Sequence, residues 1–395
     1  MNIALTCPAS LPATQFGGIM FLCLNIAKIL SKGDNKITIY TTDLDFANNS
    51  HTFNKNLPKE EKIENFTIKR THVWFSFFLY YINPKMYSQM KHDNIDIIHT
   101  IGIRSFQAFV SALISKRKKI PLFISDQGGL TTHPDLSNSS LFKRLLIWIQ
   151  KPLIKFIIRQ ATQVIVPNDY EKNIFLQFCE SKKISVVPNG IDLDEFENIS
   201  NNFCSKYKIN KKFILFLGRF HHVKGIDTLL QSIYELKNKK TFENILFVIM
   251  GVDFGYQSKM ENSIKKLQLE KNIQVISKPS RDDVISAYYQ SLFLVLPSKW
   301  ELSPLTPLEA FACKKTVIST TAHGIPYTIK NMENCILVPP NDSLSLSKAI
   351  FDLVIKPEKC EQFGENGYNY VHSIANSKKM VENFFNIYSQ HLQSK

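Results

Sequence analysis

No Cys-x-x-Cys pair occurs among the seven cysteines, Cys7, Cys23, Cys179, Cys204, Cys313, Cys335 and Cys360. An odd count without close pairs argues against a disulfide framework or a cysteine-rich zinc site, and for a reducing compartment. No run of about 18 apolar residues is present, so no membrane span is expected. The opening residues MNIALTCPAS lack a basic segment followed by a long apolar one, so no secretory signal is expected. Short-period repeats and low-complexity segments are also missing.

What is abundant is positive charge. Lys and Arg number 48 against 34 Asp and Glu, a formal net charge of +14. That excess fits nucleic acid, an anionic membrane or a phosphorylated substrate. It fits equally a compositional bias toward Lys, Asn, Ile and Phe with no partner behind it. The positive charge is scattered along the chain, so no nucleic-acid partner is expected. A chain of 395 residues, 44% of them apolar, has material for roughly two or three domains with sizeable cores.

Short β-rich runs alternate with helical patterns. In the first half NIALT, KITIYT, IDIIH, IPLFIS, TQVIV and ISVV read as strands. In the second half FILFLG, NILFVIMG, IQVI, LFLVLPS, TVIS and CILVPP do so. Their near-continuous apolar character suits strands covered on both faces, and strand–helix alternation implies parallel, doubly wound sheets. The segment VVPNGIDLDEFENISNN reads as a connector. The expected organisation is an α/β fold with a first domain over 1–190, a second over 191–372, and a helix over 373–395 docking back on the first. Val381, Phe384, Phe385, Tyr388 and Leu392 form one side of that helix. Ligands of such sheets bind at the carboxyl ends of the strands, so the chemistry is expected on post-strand loops in a cleft between the domains.

Three loops stand out. In FLGRFHHVKGIDTLL, Gly218 frees the turn, and Arg219 and Lys224 precede a helix that starts near Ile226. Two cations before a helix N-terminus can hold an anion such as a diphosphate; the alternative is a pair of solvated cations. His221 and His222 line the same loop. In PATQFGGIM, Gly17 and Gly18 lie between the first strand and its helix, where backbone N–H groups can approach a phosphate or sugar; a plain turn is the alternative. In SKWELSPLTPLEAF, Pro304 and Pro307 forbid one continuous helix. Glu301 is therefore expected on a post-strand loop and Glu309 in the first turn of a helix. A loop carboxylate can accept hydrogen bonds from sugar hydroxyls, and one a helical turn behind can take a ribose diol. Glu309 can alternatively be an acid matched to the helix dipole.

These motifs, with VVPNGIDLDEF and CILVPPND, resemble the family 4 retaining glycosyltransferases in order and spacing over nearly the whole chain. The resemblance implies the GT-B fold, two Rossmann-like domains facing a cleft. It implies transfer of a sugar from a nucleotide-diphosphate donor with retention of configuration. By that resemblance Arg219 and Lys224 hold the diphosphate, Glu301 lies at the donor sugar and acts in catalysis, and Glu309 binds the ribose. Pro304, Leu305 and Thr306 lend backbone amides, and Gly17 and Gly18 approach the donor from the first domain. Two departures are visible. Leu302 stands where the family has Gly. Asp126 and Gln127 stand where it often has a catalytic His; Asp126 is a catalytic candidate, and His133 a few residues on is a candidate substitute for the His. His99 and Gln127 are acceptor-side candidates.

The word DLD occurs at 43–45 and 192–194, but two loop cations can neutralise a diphosphate, so neither a metal nor another cofactor is expected. The segments WFSFFLYYI and LLIWIQKPLIKFIIR mix bulky apolar residues with cations: Lys143, Arg144, Lys151, Lys155 and Arg159 accompany Trp148 and Phe156. They read either as peripheral membrane contacts or as buried helices with snorkelling Lys stems. The first reading suits a lipid-linked acceptor and a cytoplasmic location at the membrane face; a glycan acceptor is the other expectation. A sugar-nucleotide epimerase of the same architecture is the alternative enzyme, though no acid–base pair for it stands out.

Overall fold

The structure, a computed structural model, describes residues 1–45, 52–77, 80–126, 130, 141–197 and 202–393, without the side chains of 15, 141–149 and 393. Gln127, His133 and the side chains of Lys143, Arg144 and Trp148 lie outside the described part. The chain forms two compact units, Met1–Pro188 with Ser377–Lys395, and Asn189–Asn376.

The strands of the first unit are β1 (Asn2–Thr6), β2 (Lys36–Thr42), β3 (Leu44–Asp45), β4 (Thr52–Phe53), β5 (Glu60–Ile63) and β6 (Phe66–Thr71). They continue with β7 (Phe75–Phe77), β8 (Tyr80–Ile82), β9 (Ile97–Ile101), β10 (Leu122–Ser125), β11 (Gln163–Val166) and β12 (Ile184–Val186). Eight of them make one sheet in the order β12-β11-β10-β9-β1-β2-β6-β5. Every pairing is parallel except that of the edge strand β5 with β6. Apolar residues on one face, such as Leu5, Ile39 and Phe123, share a core with Phe384 and Tyr388 of the Ser377–Gln393 helix. The other face packs Ile98 and Ile124 on Ile114 and Ile157.

The second unit contains β13 (Lys212–Leu217), β14 (Ile245–Gly251), β15 (Ile273–Ser277), β16 (Leu294–Val295), β17 (Val317–Thr320) and β18 (Cys335–Val338). They form an all-parallel sheet in the order β15-β14-β13-β16-β17-β18. Neighbouring residues serve opposite layers, as a pleated strand requires. Leu215 and Val248 pack with Tyr288 and Leu308, whereas Ile214 and Ile249 pack with Leu229 and Ile233. The stripe of Ile226, Leu229, Leu230, Ile233 and Leu236 is buried throughout the Ile226–Leu236 helix.

All twelve strands read from the sequence are present. β5 and β6, and also the hairpins β3–β4 and β7–β8, are present beyond those expected from the sequence. Charged residues in EEKI and FTIKRT hide an edge, where one strand face is solvated and apolar runs are broken. Among the described residues no helix is long and apolar enough to cross a membrane.

Candidate active site

In the second sheet the direction of strand succession reverses between β13 and β16. Crevices at such a reversal are the usual ligand sites of open parallel sheets. The two loops that leave this point are the ones carrying Lys224 and Glu301. They are locked together: the Lys299 N–H donates to the Val223 carbonyl at 2.7 Å. Gly225 has φ +66°, and a Cβ there would lie 1.9 Å from the Pro297 carbonyl oxygen. Only glycine satisfies both the backbone angle and the close approach.

Lys224 Nζ pairs with Glu301 Oε1, and Ser298 Oγ donates to the same oxygen at 3.2 Å. Both charged side chains are 13% exposed, so the pair is largely withdrawn from water yet reachable. A third loop fixes the Glu301 backbone. The Gly324 N–H, after β17, donates to the Glu301 carbonyl at 3.0 Å. A Cβ at Gly324 would come within 1.7 Å of the Leu302 carbonyl oxygen. Leu302 itself is buried.

Arg219 is exposed, and its guanidinium lies 4.9 Å from the centre of the Phe254 ring. That contact stiffens a long side chain without consuming its hydrogen-bond donors. The His221 and His222 rings lie 4.3 Å apart, tilted by 42°, within the same loop.

Glu309 lies in the first turn of the short Thr306–Ala312 helix, with Pro307 beside its start. Arg281 Nη1 donates to Glu309 Oε1 at 2.8 Å, and the Tyr288 hydroxyl donates to Oε2 at 3.0 Å. Burial, reinforced by the Glu309 carboxylate, pushes the Tyr288 phenol well up, so it remains a donor. Arg281 and Tyr288 escaped the sequence reading. Arg281 lies just after β15, in PSRDDVISAYYQ, where the post-strand rule could have found it. One expectation needs correction. Pro304 has no N–H, so it cannot lend an amide; only Leu305 and Thr306 of that trio can.

In the first unit Gly17 caps the Gly18–Leu30 helix at φ +93°, with no atom within 4 Å of where a Cβ would be. Its backbone angle, not crowding, requires glycine there. Gly18 opens the helix and is exposed. His99 is a correction. It is wholly buried on β9, with Nδ1 2.6 Å from the Tyr388 hydroxyl and Nε2 2.9 Å from Ser125 Oγ. Burial pushes its pKa down to about 3, so it is a neutral core residue, closed to an acceptor. Asp126 follows β10 and is 2% exposed. Two ionisable groups interact with it electrostatically, Arg104 after β9 and Glu171 after β11. Burial, then the Asp126 charge, holds the Glu171 carboxyl well above its ordinary range. Burial lowers the Arg104 pKa, and Asp126 opposes that shift.

Residues 16–195 match the family model Glycosyltransferase Family 4, and residues 201–370 match Glycosyl transferases group 1. The chain is a family 4 glycosyltransferase. This glycosyltransferase is 24% identical over 315 residues to the UDP-Gal:alpha-D-GlcNAc-diphosphoundecaprenol alpha-1,3-galactosyltransferase of Escherichia coli, covering 75% of this chain and 77% of that one. Its fold is that of the sucrose-phosphate synthase from Thermosynechococcus elongatus, with a TM-score of 0.79 at 18% identity over all of both chains. Anabaena HepE in complex with UDP-glucose superposes with a TM-score of 0.76 at 16% identity, again over all of both chains. These solved structures fix the architecture as GT-B.

Proposed function

We propose that this glycosyltransferase moves a sugar from a nucleotide-diphosphate donor to a glycan or lipid-linked acceptor, with retention of configuration and without a metal. The observation that carries the reading is the meeting of Lys224 and Glu301 on locked loops at the sheet reversal, with Arg219 in the same loop. In the reaction the bond from the anomeric carbon to the diphosphate oxygen breaks, and the acceptor oxygen takes its place and loses its proton. Negative charge grows on the leaving diphosphate, where Arg219 and Lys224 can stabilise it. The Lys224 ammonium has three donors, so it can hold Glu301 and a phosphate oxygen together. Positive charge grows at the sugar, beside the Glu301 carboxylate. Glu309 takes the ribose diol, and the Leu305 and Thr306 amides face the donor. Retention follows the family resemblance. A lipid-linked acceptor is supported by the diphosphoundecaprenol named for the Escherichia coli relative.

The test is donor hydrolysis scanned across common nucleotide sugars, with released nucleoside diphosphate measured with and without EDTA. Release from one donor, unaffected by EDTA, is expected. Activity abolished by EDTA and restored by Mn²⁺ or Mg²⁺ would overturn the metal-free reading, and no release from any donor would overturn the donor assignment.

A further inference from the structure

Cations that look scattered in the sequence gather on one helical layer of the first unit. The helices Lys85–His92, Phe106–Lys118 and Leu141–Gln160 contain no Asp or Glu. They pack side by side, the first on the second and the second on the third. On the third, Ile154, Ile157 and Ile158 are buried while Lys151, Lys155 and Arg159 are exposed. Lys116 and Arg117 are exposed on the second. In a chain with 34 acidic residues, these three adjoining helices carry charges of one sign only, which repel one another; acids of the same face lie outside them, Asp93 at the end of the first helix and Asp169 on the Asp169–Phe175 helix.

A line of aromatic rings crosses the same layer. Tyr80 on β8 meets Phe106 at 6.3 Å, Phe106 meets Phe109 at 6.3 Å, and Phe109 meets Phe156 at 6.0 Å. Lys116 Nζ lies 5.8 Å from the Phe156 ring centre. All four rings are only half-buried. At the other end of the β7–β8 hairpin from Tyr80, Phe75 opposite Ile82 and the preceding Trp74 are 59% and 65% exposed. The hairpin is anchored, since Tyr81 is buried and its ring meets Phe53 at 5.3 Å. Isolated exposed apolar residues need no explanation. Two adjoining exposed aromatics, on a hairpin that also carries the first ring of that line, do.

We propose that this layer docks on an anionic phospholipid bilayer. Trp74 and Phe75 enter the headgroup region, and Lys116, Arg117, Lys151, Lys155 and Arg159 face the lipid phosphates. Aromatic rings favour that interface, and clustered cations are drawn to an anionic leaflet. The proposal deepens the lipid-linked acceptor reading and rests on it for its purpose, but docking itself needs neither donor nor acceptor. Single-stranded nucleic acid also binds cations and aromatics; the lipid-linked substrate of the relative favours the bilayer.

The test is co-sedimentation of the full chain with vesicles of phosphatidylcholine, alone or mixed with phosphatidylglycerol, at low and high salt. Wild type is expected to sediment with the mixed vesicles only. Changing Lys151, Lys155 and Arg159 together to Gln should lower low-salt binding at least roughly tenfold. Trp74→Ser with Phe75→Ser should lower the salt-resistant part by roughly tenfold. Tryptophan emission should shift blue on binding, less so in Trp74→Phe. Unfolding temperatures should stay at the wild-type value, because every changed residue is exposed. Three results overturn the proposal: wild type remaining in the supernatant with both vesicles, Ser variants that bind as wild type does, or a short oligonucleotide bound in preference to the vesicles. Donor hydrolysis is read in parallel. Its loss alone counts against the transfer reading, and loss of vesicle binding alone against docking.

Discussion

Arg281 holds Glu309 at 2.8 Å with one guanidinium nitrogen and Glu195 at 3.0 and 2.7 Å with the other two. Burial works against the Arg281 charge, but the Glu309 and Glu195 carboxylates outweigh it and raise its pKa. Glu309 is thus oriented by a permanent cation on one oxygen and by Tyr288 on the other.

Arg281→Ala should free Glu309 to rotate and raise the donor KM roughly tenfold, with kcat within about twofold. Arg281→Lys should recover part of the loss, since an ammonium keeps the charge but not the fork. Glu309→Gln should behave like Arg281→Ala, because a ribose diol is held alike in ground and transition states. Steady-state kinetics with varied donor decide it. A fall in kcat at unchanged KM would show that Arg281 does not act through donor binding.

Arg219→Ala and Lys224→Ala should each lower turnover by roughly two to three orders of magnitude, about 3–4 kcal/mol of lost charge stabilisation on the diphosphate. Their stabilities should part. Lys224→Ala removes the cation from a Glu301 that is only 13% exposed, and a mostly buried charge left without its partner is destabilising. Arg219→Ala removes only the contact of an exposed side chain with the Phe254 ring, so its unfolding temperature should match wild type. Near-normal turnover in either variant removes the anion-loop assignment.

Glu301→Gln should leave the donor KM within about threefold and cut kcat by roughly a hundredfold, because the lost charge faces the sugar where positive charge develops. The Ser298 hydroxyl can still donate to the amide oxygen, which separates loss of charge from loss of shape. If KM and kcat change equally, Glu301 is no more than a donor-binding group.

The second unit was the more legible. Lys224 and Glu301 could be placed because each follows a dense apolar strand, and Pro304 and Pro307 mark the helix start beyond. Arg281 and Tyr288 could not. Their importance comes from packing beside Glu309, which no local spacing encodes. His99 misled for a related reason. A strand-end histidine reads as a site residue until the Ser377–Gln393 helix, nearly three hundred positions on, brings Tyr388 to its Nδ1. The three acid-free helices were hidden as well. They are separated in sequence by strands and loops that contain acids, so the charge looks scattered until the helices pack.

The Glu171 carboxyl is buried, has no hydrogen-bond partner on either oxygen among the described residues, and has its pKa raised well above the ordinary value by burial and by the Asp126 charge, with Arg104 a cation beside Asp126. An acid with a raised folded pKa binds its proton more tightly when folded than when unfolded. Stability is therefore lost as pH rises from the ordinary value of 4.5 toward the folded one. His99 acts in the opposite direction: with a folded pKa of about 3 against an ordinary 6.5, it costs stability as pH falls through that window. Comparing Glu171→Gln with wild type at each pH cancels the His99 contribution. The variant should be close to wild type at about pH 4 and more stable at about pH 8, by roughly 2–4 °C in unfolding temperature for each kcal/mol. A variant less stable than wild type by the same margin at both pH values would mean that Glu171 is ionised and bonded in the fold.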